Sequence, residues 1–521
     1  MPKWLEDAVF YEIYPQSFLD ANGDGIGDFE GIIQKLDYIA ELGCNAIWIN
    51  PCFDSPFKDA GYDVRDYKKT APRYGTNDDL KRLFAEARKR NIRTLLDLVP
   101  GHTSEEHPWF LESKKAEPAA YRNRYIWSDS WISGGGSTLR FIAGEAERNG
   151  MYAVNFFKCQ PALNYGFLNP GEPWQLPTDH PDAAATREAV KDIIRFWLDA
   201  GCDGFRVDMA DSLVKNDDPE KSATSAVWRD IRAMLDAAYP EAALVSEWSR
   251  PSLALKCGFH MDFLLDHAGS GYRSLVRNYS FDPEGRLIED SSYFKKDSTS
   301  DITPFLEQYL PWYETTKNTG FISLISGNHD TPRISRNLAP RELALFYGFL
   351  FTMPGVPFLY YGDEIGMRYL DLPTKEGGYT RTGSRTPMQW GGGGNLGFSR
   401  APADTLYLPV DPSPDAPTVA AQEKDPGSLL NTVKALVKLR RAEGDLRAKP
   451  NLEVLYAQKG SRPVVYRRGS CIIGLNPSSE EVRIEGLGAA KPGTGLFFIG
   501  SGGFDSGTCV LGPQSLVVWR V

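Results

Sequence analysis

Three carboxylates, Asp208, Glu247 and Asp330, each stand at the end of an apolar run, in the segments GFRVD, ALVSE and FISLISGNHD. Two have a basic neighbour, Arg206 ahead of Asp208 and His329 ahead of Asp330. Paired acids can cleave a glycosidic bond: one attacks or stabilises the sugar carbon while a second, protonated, donates to the leaving oxygen. Residues two apart on a strand share a face, so Arg206 is expected to keep Asp208 ionised as a nucleophile. Glu247 precedes Trp248 in an apolar run, and an apolar wall favours the protonated form that a donor needs. An isolated Arg-x-Asp is as readily a buried salt bridge; the weight falls on the three acids as a set.

A second cluster lies in DANGDGIGD, from Asp20. Asp20, Asn22, Asp24 and Asp28 alternate oxygen ligands, Gly25 permits a sharp turn, and the Ile26 carbonyl can complete a cation shell. An EF-hand loop carries a glutamate at its twelfth position, where Gly31 stands, so this is a shorter loop of another kind. Its GxGxG pattern has no strand followed by a phosphate-cradling helix turn, which argues against a nucleotide. A structural calcium or magnesium ion is expected here, and no organic cofactor.

The elements that must position these residues are legible as rhythm. Eight short apolar runs begin at Ala8, Asn45, Arg93, Gly204, Ala243, His260, Phe321 and Val356, and helical patterns alternate with them. That alternation predicts an α/β fold, a closed (β/α)8 TIM barrel, whose strand ends hold the chemistry. FEGIIQKLDYIAELG reads as one helix with Ile33, Leu36, Ile39 and Ala40 on a face and Gly43 as its stop. Another begins at Asn77 and carries Leu80, Leu83, Phe84 and Ala87, with Asp78 and Asp79 in its first turn. Residues 103–170 break the rhythm with Trp109, Phe110, Trp127, Trp131 and the run GGGS at 134, an inserted subdomain after strand three that would overhang the pocket. The loop 371–400 reads as a rim. Short alternating strands from about residue 446 predict a C-terminal antiparallel β-sandwich. The expected division is 1–102 and 171–445 for the barrel, 103–170 for the insert and 446–521 for the β-domain.

Composition narrows the function. The formal charge is -10, with 58 Lys plus Arg against 68 Asp plus Glu, which argues against nucleic acid and suits a neutral substrate. No run approaches the ~20 apolar residues that span a bilayer, so no membrane partner is expected. The N-terminus shows no secretory pattern, and the seven scattered cysteines read as reduced thiols of a cytoplasmic protein. Oligomeric state is not legible.

DLVPGH at 97, GFRVD at 204, VSEW at 245 and GNHD at 327 occur in the order and spacing of the short motifs of the α-amylase family, glycoside hydrolase family 13, and the chain resembles that family over nearly its whole length. The resemblance implies Asp208 as nucleophile, Glu247 as general acid/base and Asp330 as the acid that holds sugar hydroxyls, with His102, Arg206 and His329 around the same sugar unit. GYDVRDY at 61 is similar to a family element, implying that Tyr62 stacks on that sugar and Asp63 bonds its far hydroxyls. RTPMQW from Arg385 resembles the α-glucosidase, oligo-1,6-glucosidase and trehalose synthase branch, in which an Arg385 to Asp63 pair would close a blind pocket that accepts a chain end. The cation loop occurs in that branch too. The implied activity is a retaining exo-acting α-glucosidase on short α-glucosides. Alternatives are a glucosyltransferase or isomerase of the trehalose synthase or sucrose isomerase kind, an endo-acting amylase, and a non-catalytic sugar-binding relative.

Overall fold

The computed structural model describes residues 1–132, 134, 138–282, 287–487 and 493–521; apart from Gly134, the GGGS run lies outside them. Each of the eight expected runs is a parallel strand: β1 (Phe10–Ile13), β2 (Ala46–Ile49), β3 (Arg93–Leu98), β4 (Gly204–Val207), β5 (Ala243–Ser246), β6 (Met261–Leu264), β7 (Phe321–Leu324) and β8 (Phe358–Tyr360). They pair in sequence order, with β1 beside β8. Nearly every strand residue is buried, because helices cover one face and the barrel interior the other. The ring is held most lightly between β7 and β8. There one parallel bridge, Ile325 with Phe358, joins the strands. Ser326 extends the joint, giving its N–H to the Phe358 carbonyl (2.9 Å) while its hydroxyl accepts from Tyr360 N (3.0 Å) and donates to Asp363 Oδ2 (2.7 Å).

The helix Asn77–Lys89 forms as its pattern dictates. Thr76 and Asp79 make a reciprocal capping box, and Leu80, Leu83, Phe84 and Ala87 are buried. The segment expected as one helix is two, Phe29–Gln34 and Leu36–Leu42, parted at Lys35, whose backbone (φ -108°, ψ 6°) leaves the helical region. The break rotates the buried stripe, so Ile32, Leu36, Ile39 and Leu42 are covered while Ile33 and Ala40 are half-buried. Gly43 ends the second piece at φ +93°, and a Cβ there would lie 2.6 Å from Val437 Cγ1.

Between β3 and β4, Trp127–Ser128, Arg140–Ala143 and Met151–Val154 form a small antiparallel sheet with Met151–Val154 central. A bridge from His102 to Ala162 ties its return to the end of β3. A hairpin, Tyr279–Phe281 with Leu287–Asp290, follows β6 and was not legible in the sequence. The C-terminal part stacks a five-stranded antiparallel sheet on a three-stranded one. Val465, Ile472, Val517 and Trp519 of the first pack with Ile484, Phe504, Cys509 and Leu511 of the second, so the core lies between two layers. The strands Val482–Ile484, Gly502–Asp505 and Thr508–Leu511 form the three-stranded layer.

Candidate active site

The β3–β4 register sets Asp97 beside Arg206, and the β4–β5 register sets Val245 on the other side. Arg206 is buried and bonds three acids: Nη1 lies 2.8 Å from Asp97 Oδ1 and 3.0 Å from Asp208 Oδ1, and Nη2 lies 2.9 Å from Glu247 Oε1. The strand ladder runs on to both site acids, since Asp208 N donates to the Leu98 carbonyl and Glu247 N to the Val207 carbonyl. Met209, at φ +42°, turns its N–H onto Glu247 Oε2 at 3.0 Å. The expected division of labour through Arg206 is corrected here: the guanidinium serves Glu247 as well as Asp208. Burial pushes Asp208 and Glu247 up to about 7 each, with Arg206 pulling both back. Burial likewise raises Asp97 to about 6. Three acids around one cation cannot all ionise without cost, so a proton is retained among them near neutrality.

Asp330 has a different environment. Its Oδ1 lies 2.9 Å from Arg381 Nη1 and 3.0 Å from Arg385 Nη2, and its Oδ2 lies 3.5 Å from His329 Nε2. Burial would raise it, but the His329 ring and the two guanidiniums outweigh that and hold it well below the ordinary carboxylate range. His329 stacks on Tyr62, with ring centroids 5.3 Å apart, and its Nε2 is 2.6 Å from the Tyr62 hydroxyl. Burial holds this imidazole neutral, well below its usual pKa. His102 places Nε2 3.1 Å from the Tyr62 carbonyl, and burial lowers it to about 3.

Asp63 does not take the role expected of it. Its carboxylate accepts from Ser55 Oγ (3.0 Å), Lys58 N (2.9 Å) and Asp59 N (3.0 Å), which pins the turn behind the site, and Arg385 reaches Asp330 instead. The acid that faces the cavity is Asp59, 3.6 Å from Arg381. Phe57, Ala60 and Gly61 all have positive φ, at 59°, 51° and 99°. In such a turn the alternation of side chains fails, and spacing from Tyr62 does not tell which aspartate points inward. Asp59, Arg381 and Asp97 were missed although each lies in or beside a segment that the sequence brings forward.

These groups meet in a cavity of about 320 Å³. Tyr62, His102, Asp208, Glu247 and Asp330 line it with Asp59 and Arg381, while Phe156, Met209, Asp211, Trp248, Leu265 and His267 line its remaining walls. Arg206, His329 and Arg385 stand behind the lining acids. Above β4, Lys215 bonds Asn155 Oδ1 (3.3 Å) and the Ser212 carbonyl, and burial lowers this ammonium to about 8. Asn155 also lies 3.2 Å from His102 Nδ1, so the insert reaches the site through this cluster. Gly101 lies beneath it, where a Cβ would stand 2.6 Å from Asn155 Nδ2 and displace that side chain.

The cation loop lies apart from the cavity. Asp20 accepts Gly23 N (2.7 Å) and Gly25 N (2.8 Å), Asp24 accepts Ile26 N (2.9 Å), and Asp28 accepts Gly31 N (2.7 Å) and Ala21 N (3.2 Å). Gly25, at φ +92°, would place a Cβ 2.5 Å from the Thr405 carbonyl. Among the described residues no three His, Cys, Asp or Glu side chains converge as a metal cluster. The loop carboxylates are nevertheless free of Lys and Arg partners among those residues, and each bonded oxygen keeps acceptor capacity, so the donor set fits a hard cation bound partly through Asn22 and the Ile26 carbonyl.

The profile of the α-amylase catalytic domain matches residues 12–448. The trehalose synthase/amylase TreS of Mycobacterium tuberculosis is 33% identical over 482 residues, covering 84% of this chain and 75% of that protein. The oligo-1,6-glucosidase of Heyndrickxia coagulans is 32% identical over 498 residues, covering 85% and 86%. Among solved structures, isomaltulose synthase from Erwinia rhapontici superposes with a TM-score of 0.81 at 25% identity, covering 100% of this chain and 99% of the other.

Proposed function

Because the chain belongs to the α-amylase family of glycoside hydrolases, we propose that it is a retaining, exo-acting α-glucosidase of short α-glucosides. Asp208 attacks the anomeric carbon as Glu247 gives its proton to the leaving oxygen; the glycosidic C–O bond breaks and a glucosyl ester forms. Water then gives a proton to Glu247 and its oxygen to the sugar, and Asp208 departs as carboxylate. The observation that carries the reading is the attachment of Asp208 and Glu247 to one guanidinium, in a cavity that Asp59, Arg381 and Asp330 also line, with Arg381 joining the two aspartates. That Arg381 bridge across the lining suits one terminal sugar ring. A fluorinated glucosyl fluoride should label Asp208, seen by peptide mass spectrometry, and the first product should be the α-anomer by proton NMR. Release of the β-anomer without an adduct would overturn the reading.

A glucosyltransferase or isomerase is the second reading, and the names of two relatives, trehalose synthase/amylase and isomaltulose synthase, favour it. Incubation with maltose, sucrose, isomaltose and trehalose separates the two: free glucose supports hydrolysis, a rearranged disaccharide supports transfer. The loop of Asp20, Asn22, Asp24, Ile26 and Asp28 is proposed to hold a structural calcium or magnesium ion. A chelator should then lower the melting temperature, with calcium or magnesium restoring it. Seven free cysteines support a reducing, cytoplasmic setting. Among the described residues no helix is long and apolar enough to cross a membrane.

A further inference from the structure

The proton arrangement behind Asp330 can be worked out by counting donors. The Tyr62 hydroxyl has one proton, and it donates to Asp97 Oδ2 at 3.0 Å. With Asp97 ionised, the hydroxyl accepts at its 2.6 Å contact with His329 Nε2, which places a proton on Nε2. The ring is fully buried, and burial with the charges of Arg385, Arg206 and Arg381 keeps it neutral against the pull of Asp330, so Nδ1 carries a lone pair. Two groups approach that one lone pair and must share it: Glu12 Oε1 at 2.9 Å and Asn50 Nδ2, a donor, at 3.0 Å. An ionised carboxylate would set two lone pairs against each other.

We propose that Glu12 is a protonated carboxylic acid that donates to His329 Nδ1 and fixes the ring as the Nε2–H tautomer. Glu12 is a positioning residue, one layer below the groups that line the cavity. It lies on β1, opposite Trp48 of β2 and Tyr360 of β8, and is fully buried. Among the described residues its second oxygen has no hydrogen-bond partner, and neither has Asn50 Oδ1, an acceptor left idle near an acid. Burial raises its pKa and Asp97 adds to that; hydrogen bonds from Asn50 and the His329 backbone and the charge of Arg206 pull it down, but burial outweighs them and holds it well above the ordinary range. The Nε2–H then faces Tyr62 and Asp330, the side from which a sugar hydroxyl would approach.

This arrangement goes beyond the glucosidase reading and is measured without turnover, so either can fail alone. The chain has six histidines. With ¹⁵N-histidine, the His329 signals are assigned by their loss in His329→Asn. Nδ1 should be of the unprotonated type and Nε2 of the protonated type at pH 7 to 8; a protonated Nδ1 there overturns the proposal. Glu12→Gln, whose amide can donate in the same way, should keep the tautomer and kcat, whereas Glu12→Leu should lower kcat about three- to tenfold, the worth of one hydrogen bond. The infrared difference spectrum of wild type against Glu12→Gln should show loss of a protonated carboxyl band; loss of a carboxylate band refutes it. If the variants do not fold, the wild-type tautomer decides.

Discussion

Asp208→Asn should abolish turnover and stabilise the protein, and the second effect can be worked from the structure. Burial lifts Asp208 from 3.8 to about 7. At about 1.36 kcal/mol per unit, ionising it inside the fold costs ~4 kcal/mol. Below the unfolded pKa the carboxyl is neutral in both states and nothing is lost. As pH rises from there, the unfolded chain ionises while the folded one stays protonated, so stability falls, and the loss is complete above about 7. Asparagine carries no charge, and against its gain stands the weakened bond to Arg206, a charged hydrogen bond of about 1.5–3 kcal/mol. The net gain at pH 8 is then about 2 kcal/mol. Unfolding entropy of ~2.1 cal/mol/K per residue makes that a rise of about 2 °C in Tm for a chain of this length. Calorimetry of wild type and variant from pH 5 to 8 tests it. The gain should grow with pH and level off near 7; a variant of equal or lower Tm at pH 8, with no trend, would show that Asp208 is a stabilising ion-pair partner instead of a strained one.

Asp208 must be ionised and Glu247 protonated while both titrate near 7, so kcat/KM should follow a narrow bell centred there, measured on an unactivated disaccharide. Glu247→Gln should lower kcat about 10²- to 10⁴-fold on that substrate, far less on a glucosyl fluoride, and remove the alkaline limb. Arg381→Ala removes the bond to Asp330 and the contact with Asp59; steady-state kinetics should show kcat/KM down about 10- to 150-fold, the equivalent of 1.5–3 kcal/mol. Thr76→Ala should cost about 1 kcal/mol in denaturant unfolding by removing the cap of Asn77–Lys89, with kinetics unchanged.

What the sequence reveals here follows how regular the backbone is. All eight barrel strands were legible because a parallel strand buried on both faces must be a continuous apolar run, and the acids were legible because they follow such runs directly. Asp208 and Glu247 are placed by ladder bonds that prolong β4 and β5, so strand parity reaches them. It does not reach Asp59 and Asp63, where left-handed residues reverse the chain twice. Arg381 and Arg385 fall within and just after the single tight turn Tyr379–Ser384, which lets two guanidiniums four positions apart meet one carboxylate. No periodicity signals that. The opposed pulls on Asp208 and Glu247 were invisible too, because Arg206 forks to β5 as readily as along its own strand. In the C-terminal sandwich, VRI, GGFD and TCVL are too short and mixed to stand out as strands.

The lightly held joint between β7 and β8 bears on how the molecule breathes. Asp330 lies four residues beyond Ser326, and the turn that supplies Arg381 and Arg385 follows β8, so these two jaws of the cavity hang from that one seam. Parting Ile325 from Phe358 gives up a single ladder contact and the bonds of Ser326, a far smaller opening than parting β2 from β3 or β3 from β4. The amide protons of Ser326 and Tyr360 are thus the ones whose solvent exchange reports that opening. A sugar held between the jaws should slow their exchange, and Ser326→Ala should quicken it, so the lifetime of the bound ring and the looseness of the barrel become one measurable rate.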